Sequence, residues 1–140
     1  MKKITIRIHD EKLDISSFNI TLEGQKIPAN MRDIKPTQNY VYEPDIDRSL
    51  KVEVVILNHL AIIGVTPELS SVTAETLKKK SPFPMTMVFT LVNGGSKYMS
   101  DATSYDRYTY EAMNSMYARG SAEKFINDTV KYLEERMDDK

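Results

Sequence analysis

Apolar and polar positions alternate from the start of the chain. Ile4, Ile6 and Ile8 share one side of residues 3–8, with Thr5 and Arg7 opposite, which predicts a half-buried strand. Residues 11–22 carry Leu13, Ile15, Phe18, Ile20 and Leu22, but the period slips near Ser16-Ser17. That pattern predicts two short strands or one bulged strand. Residues 24–49 hold Pro28, Pro36 and Pro44 with little periodicity and read as a long irregular connection. Connections of that length are uncommon inside compact domains, so this one is either functional or packed against something else.

The strongest β signal lies at residues 50–65. Two Val- and Ile-rich runs, 50–57 and 60–65, flank Asn58-His59 and predict a hairpin. The second run is apolar on both faces and is expected to be central and buried. Thr66-Pro67-Glu68 then resembles a helix start, with a capping Thr, a Pro at the first position and an acid in the first turn. The helix is expected from about Pro67 to Lys80, where Ser81-Pro82-Phe83-Pro84 stops it. Residues 85–92 are expected to form another buried strand. Strand, helix and strand in this order predict a βαβ crossover near residues 60–92. After the loop 93–96, a break at Gly120 and a capping Ser121 introduce a last helix. Its apolar stripe is Phe125, Ile126, Val130, Leu133 and Met137. The fold class expected is α/β, or mixed α+β, with a mixed sheet and a C-terminal amphipathic helix.

Composition narrows the function. The 140 residues predict a single domain. Nineteen basic and twenty acidic residues give a net charge of −1, without the concentrated positive field that a nucleic acid requires. The short basic run at Lys78 to Lys80 suits a helix C-terminus. There is no cysteine, which excludes disulfide and thiolate chemistry. No apolar run reaches the length of a membrane span, and no apolar segment follows Lys2-Lys3 as a secretory signal requires. As written, the chain is expected to be cytoplasmic.

Candidate chemistry is sparse. His9 and His59 have no second ligand at zinc-site spacing and are expected to be structural. Glu68 follows a buried strand, where sites gather in α/β sheets, although an acid in a first helical turn needs no further purpose. Tyr98 lies just past the next strand. If the two strands are neighbours, Glu68 and Tyr98 emerge at one sheet edge, where a cation that lowers the phenol pKa binds both. Tyr98, Tyr105, Tyr108, Tyr110 and Tyr117 fall within twenty positions, a density that suits either a site or amphipathic packing.

Four blocks now stand in a recognisable order: LNHLAIIGVTPELSS, SPFPMTMVFTLVN, NGGSKY and YMSDATSYDRYTYEA. The last combines a Tyr, a second Tyr seven residues on, and Tyr-Glu five further. The region from about 52 to 137, about 60% of the chain, resembles the later part of the catalytic domain of the neutral/alkaline (non-lysosomal) ceramidases, which are zinc-dependent amide hydrolases. The resemblance implies that Glu68 and Tyr98 are zinc ligands and that Tyr110 lines the active site beside the reacting amide. It implies an N-acyl sphingoid or related N-acyl amine as substrate.

The family's two histidine ligands come from an earlier half of the domain that has no counterpart here. The isolated chain is therefore expected to bind zinc weakly and to be inactive unless a partner segment or chain supplies them. Departures from the family pattern are Pro67 in place of a Gly, Gly95 where many members have Tyr, and Ser100-Asp101 in place of Thr-Thr. These bear on substrate choice. Residues 1–50 form a β-rich segment of separate character, and 51–140 form the ceramidase-like segment. A part of a larger catalytic domain is expected to expose sheet surface and to self-associate. Two other readings stay open: a non-catalytic binding or assembly module on this scaffold, and an unrelated small α/β enzyme.

Overall fold

The computed structural model describes residues 3–8, 11–27 and 41–138. His9, Pro28 and Pro36 lie outside the described residues. The fold is mixed α/β. A five-stranded sheet has the order β1 (Lys3–Ile8), β2 (Glu11–Lys26), β3 (Glu43–Leu57), β4 (Leu60–Val65) and β6 (Met85–Phe89). The first four strands pair antiparallel, and β4 and β6 pair parallel. The crossover between them is helix α1 (Ser71–Lys80), so the expected βαβ unit is present. A second sheet pairs the two-residue strands β5 (Glu68–Leu69) and β7 (Tyr98–Met99) in parallel. Two short helices follow, α2 (Ala102–Asp106) and α3 (Tyr110–Met113), then the long α4 (Ser121–Asp138).

One core lies between the large sheet and the helices. Ile20, Leu22, Val52, Val54, Ile56 and Ile63 meet Leu77 of α1 and Phe125, Ile126 and Leu133 of α4. The predicted stripe of α4 therefore faces the sheet, with Tyr132 stacked on Phe18 at 4.2 Å between ring centroids. The predicted hairpin at Asn58-His59 is also present, and Asn58 takes the left-handed φ of 52° that Asn tolerates better than most residues.

Several expectations need correction. The slip near Ser16-Ser17 is not a bulge. The strand keeps its period there, but its inward positions change from Phe18, Ile20 and Leu22 to the buried polar pair Asp14 and Ser16. The Asp14 carboxylate is satisfied by the Thr5 hydroxyl at 2.6 Å and by Lys12 at 3.5 Å. The register shift lies instead between Leu22 and Gly24. A Cβ at Gly24 would collide with the backbone carbonyl of Ile46. Both ends of the stretch expected to be irregular are strand, because β2 runs on to Lys26 and β3 starts at Glu43, opposite it.

The first helix starts at Ser71, capped by Ser70, whose side chain accepts from the Thr73 N–H. Glu68 and Leu69 are withheld from it by their pairing with β7. Residues 85–92 do not form a buried strand. The sheet ends at β6, and Met85, Met87 and Phe89 point outward on a face that α1 does not cover. At the last helix, Gly120 rather than Ser121 caps, since its carbonyl accepts the Lys124 N–H at 3.0 Å.

Candidate functional site

The site is built where β4 hands the chain to α1. Pro67 is buried and Glu68 emerges exposed directly after it. The Glu68 N–H donates to the Lys97 carbonyl at 2.8 Å, and the Ser70 N–H donates to the Met99 carbonyl at 3.2 Å. These two bonds put Glu68 opposite Tyr98 in register. Neighbouring strands lie about 4.8 Å apart, so the carboxylate and the phenol leave the backbone side by side. Lys97 holds a left-handed φ of 56° to aim that carbonyl. A non-glycine residue seldom adopts this conformation, and the β5–β7 pair depends on it.

The electrostatics agree with the geometry. The Tyr98 phenol is held above its ordinary pKa, first by the Glu68 carboxylate, then by partial burial, Tyr110 and Glu111. Tyr110 sits at the start of α3, where Thr109 caps by accepting from the Ala112 N–H. Its ring meets Tyr98 edge-on, with centroids 5.9 Å apart and planes at 73°. The remainder of the ring is open to solvent. Glu68, Tyr98 and Tyr110 are thus brought together, although two of them lie some thirty and forty residues beyond the first.

Two depressions flank these residues. A cleft of about 380 Å³ is lined by Glu68, Ser70, Tyr98, Asp101, Ser104 and Glu111. Asp101 caps α2 by accepting from the Ser104 N–H, and it also accepts from the Ser70 hydroxyl at 3.2 Å. The departure Ser100-Asp101 therefore ties the starts of α1 and α2 together behind the site. A second cleft, of about 550 Å³, includes Lys26, Asp45, Arg48, Lys97, Tyr110 and Met113. Tyr110 borders this cleft and packs against Tyr98 of the first. Sequence reasoning did not single out Ser70, Glu111 or Lys97. A legible signal existed only for Ser70, a good N-cap just before a helical run.

The tyrosine cluster divides by role. Tyr105 is buried, its hydroxyl donating to the Tyr117 carbonyl at 2.6 Å with the Ser115 hydroxyl 3.0 Å from it. Burial pushes its pKa up to about 12. Tyr117 is also buried and forms a bridge to Gly24. These two are packing residues that fix residues 115–118 against β2, and Ser115 in turn bridges to Tyr98.

Zinc is implied by the family resemblance, and the donor set can be tested against it. Glu68 and Tyr98 offer two adjacent oxygen donors. A catalytic zinc site needs about three protein ligands and an open position. Among the described residues, no group of three or more His, Cys, Asp or Glu is arranged to hold a metal ion. His59 lies at the opposite end of β4 from Glu68, roughly 20 Å away along six strand residues. The described residues offer two donors here and do not by themselves close a metal site.

Among the described residues, no helix is long and apolar enough to cross a membrane. No family model matches the sequence, and no curated protein is significantly similar to it. Among solved structures, a ceramidase complexed with C2 is similar in fold, with a TM-score of 0.54 at 11% identity. The match covers 74% of this chain and 18% of that one, so this chain shares its fold with a limited part of a ceramidase.

Proposed function

We propose that this chain is the part of a ceramidase-like amide hydrolase that carries two metal ligands, Glu68 and Tyr98, and one substrate-facing phenol, Tyr110. The observation that carries the reading is the parallel β5–β7 pair. It sets Glu68 and Tyr98 side by side with Tyr110 edge-on to Tyr98. The fold likeness to a ceramidase supports the scaffold, and the likeness is confined to a small share of that protein.

In this reading, two histidines from another segment or chain complete the site for zinc. The bound metal supplies Lewis-acid polarisation and an activated water. This chain's own residues supply positioning. Glu68 and Tyr98 hold one side of the metal, and the exposed Tyr110 hydroxyl donates a hydrogen bond to the oxyanion that develops on the substrate amide. Losing one such donor typically lowers the rate about 100- to 1000-fold. The substrate class is a linear N-acyl amine, split into an amine and a carboxylic acid.

The isolated chain with added zinc is expected to release no amine from a labelled N-acyl amine. Turnover that disappears in Glu68→Ala would contradict the incomplete-site reading. Native mass spectrometry of the protein from its source tests the whole proposal. A larger assembly that carries zinc is expected. A metal-free species made of this chain alone would overturn it.

A further inference from the structure

The face of the large sheet turned away from α1 and α4 carries two unbroken apolar rows. Cross-strand register aligns Ile4, Ile15, Val55, Ile62 and Met87, one residue from each of the five strands. The next row aligns Leu13, Leu57, Leu60 and Met85, and Phe89 stands at the margin. Met85 is 61% exposed, Met87 46%, Phe89 48% and Ile4 49%. Leu13, Val55, Leu60 and Ile62 are half-buried. Along β3, Glu53 and Lys51 follow Val55 on this face and pair with each other at 2.6 Å.

Monomeric proteins rarely expose a contiguous apolar patch larger than a few hundred Å². At these exposures the two rows and Phe89 present on the order of 600–700 Å², close to the roughly 800 Å² that each partner gives a standard interface. We propose that this face is the contact between two copies of the chain, packed sheet against sheet about a twofold axis. The product is a four-layer dimer, helices outside and two sheets inside, with the sheets about 10 Å apart.

Three features favour a second copy as the occupant. A twofold contact requires a self-complementary patch, and rows of aliphatic residues that span the full sheet width provide one. The patch carries no charge of its own, so two copies meet without like-charge repulsion. Its area is also close to what each partner of a standard interface gives. The inference does not rest on the amide-hydrolase reading, since the Glu68–Tyr98 site stands at the end of β4 and not on this face.

The test is sedimentation velocity of the full chain over a wide concentration range. Met87→Asp and Ile15→Asp change exposed side chains on the face. Val72→Asp changes an exposed side chain on α1, in the other layer. Circular dichroism establishes that each variant is folded. The expected result is a wild-type dimer whose dissociation constant rises at least tenfold in both face variants and is unchanged in Val72→Asp. Should a face variant fail to fold, the other carries the comparison. A wild-type monomer throughout, a dimer indifferent to both face variants, or a dimer disrupted by Val72→Asp would each overturn the proposal.

Discussion

Glu68 is the residue whose meaning changes most between sequence and structure. In the sequence it resembles an acid at a helix start, a position that the helix dipole explains without further purpose. In the fold it lies three residues before the helix, on a strand whose partner is Tyr98. The dipole explanation is therefore withdrawn, and the carboxylate's main electrostatic effect falls on the phenol beside it. Replacing Glu68 with Gln should return the Tyr98 pKa toward its ordinary value. Tyrosinate absorbance on alkaline titration, with Tyr98→Phe identifying the transition, reads this directly. An unmoved Tyr98 would mean that the two side chains do not face one another.

Tyr105 makes the opposite case, a tyrosine that belongs to the core. Removing its hydroxyl in Tyr105→Phe takes from the Tyr117 carbonyl the shorter of its two hydroxyl donors and leaves Ser115 at 3.2 Å, so the expected loss is about 1 kcal/mol in urea unfolding. Tyr105 and Tyr42 also set an alkaline limit to stability. Burial is the main cause that raises both to about 12. Between about pH 10 and 12 the folded chain keeps protons that the unfolded chain has lost, so stability falls as pH rises through that window. Below it the two groups impose no slope. Unfolding midpoints measured across the window should decline, and less steeply in Tyr105→Phe. A flat profile would contradict the burial of both hydroxyls.

At the scale of elements, the parts with strong local patterns were legible. The Asn58-His59 hairpin, the βαβ unit and the stripe of α4 each follow from apolar periodicity that one segment carries alone. The β5–β7 pair was not legible, because two-residue strands have no period and are made only by each other. The same cause moved the start of α1 from Pro67 to Ser71. Ser70 now holds that start, capping α1 and donating to Asp101. Ser70→Ala should cost about 1 kcal/mol or somewhat more, since both bonds are lost. It should also loosen the wall behind Glu68. A stability equal to the parent's in chemical denaturation would show that the cap contributes nothing.

At the scale of the whole molecule, residues 1–50 had no recognisable counterpart, yet β1 and β2 share a sheet with β3, β4 and β6. Their place was illegible because antiparallel pairing joins residues as far apart as Leu13 and Leu57. The candidate site was legible as residue types in an order, and Glu68, Tyr98 and Tyr110 do converge. The clefts around them, with Lys97 holding a left-handed backbone, were not legible, since they depend on how two sheets and two short helices meet. The open apolar sheet face is likewise invisible from alternation alone. Residues 60–65 look buried on both sides, and among the described residues no layer covers one of those sides.

The account turns on whether Glu68 and Tyr98 act together on a metal ion. The most direct measurement is a zinc titration of the purified chain, followed by the tyrosinate difference spectrum at neutral pH. Zinc should bind weakly, draw the proton from one tyrosine, and lose both effects in Glu68→Ala and in Tyr98→Phe. A titration with no tyrosinate signal, or one that both variants leave unchanged, would contradict the account and reduce the pair to a structural contact between two short strands.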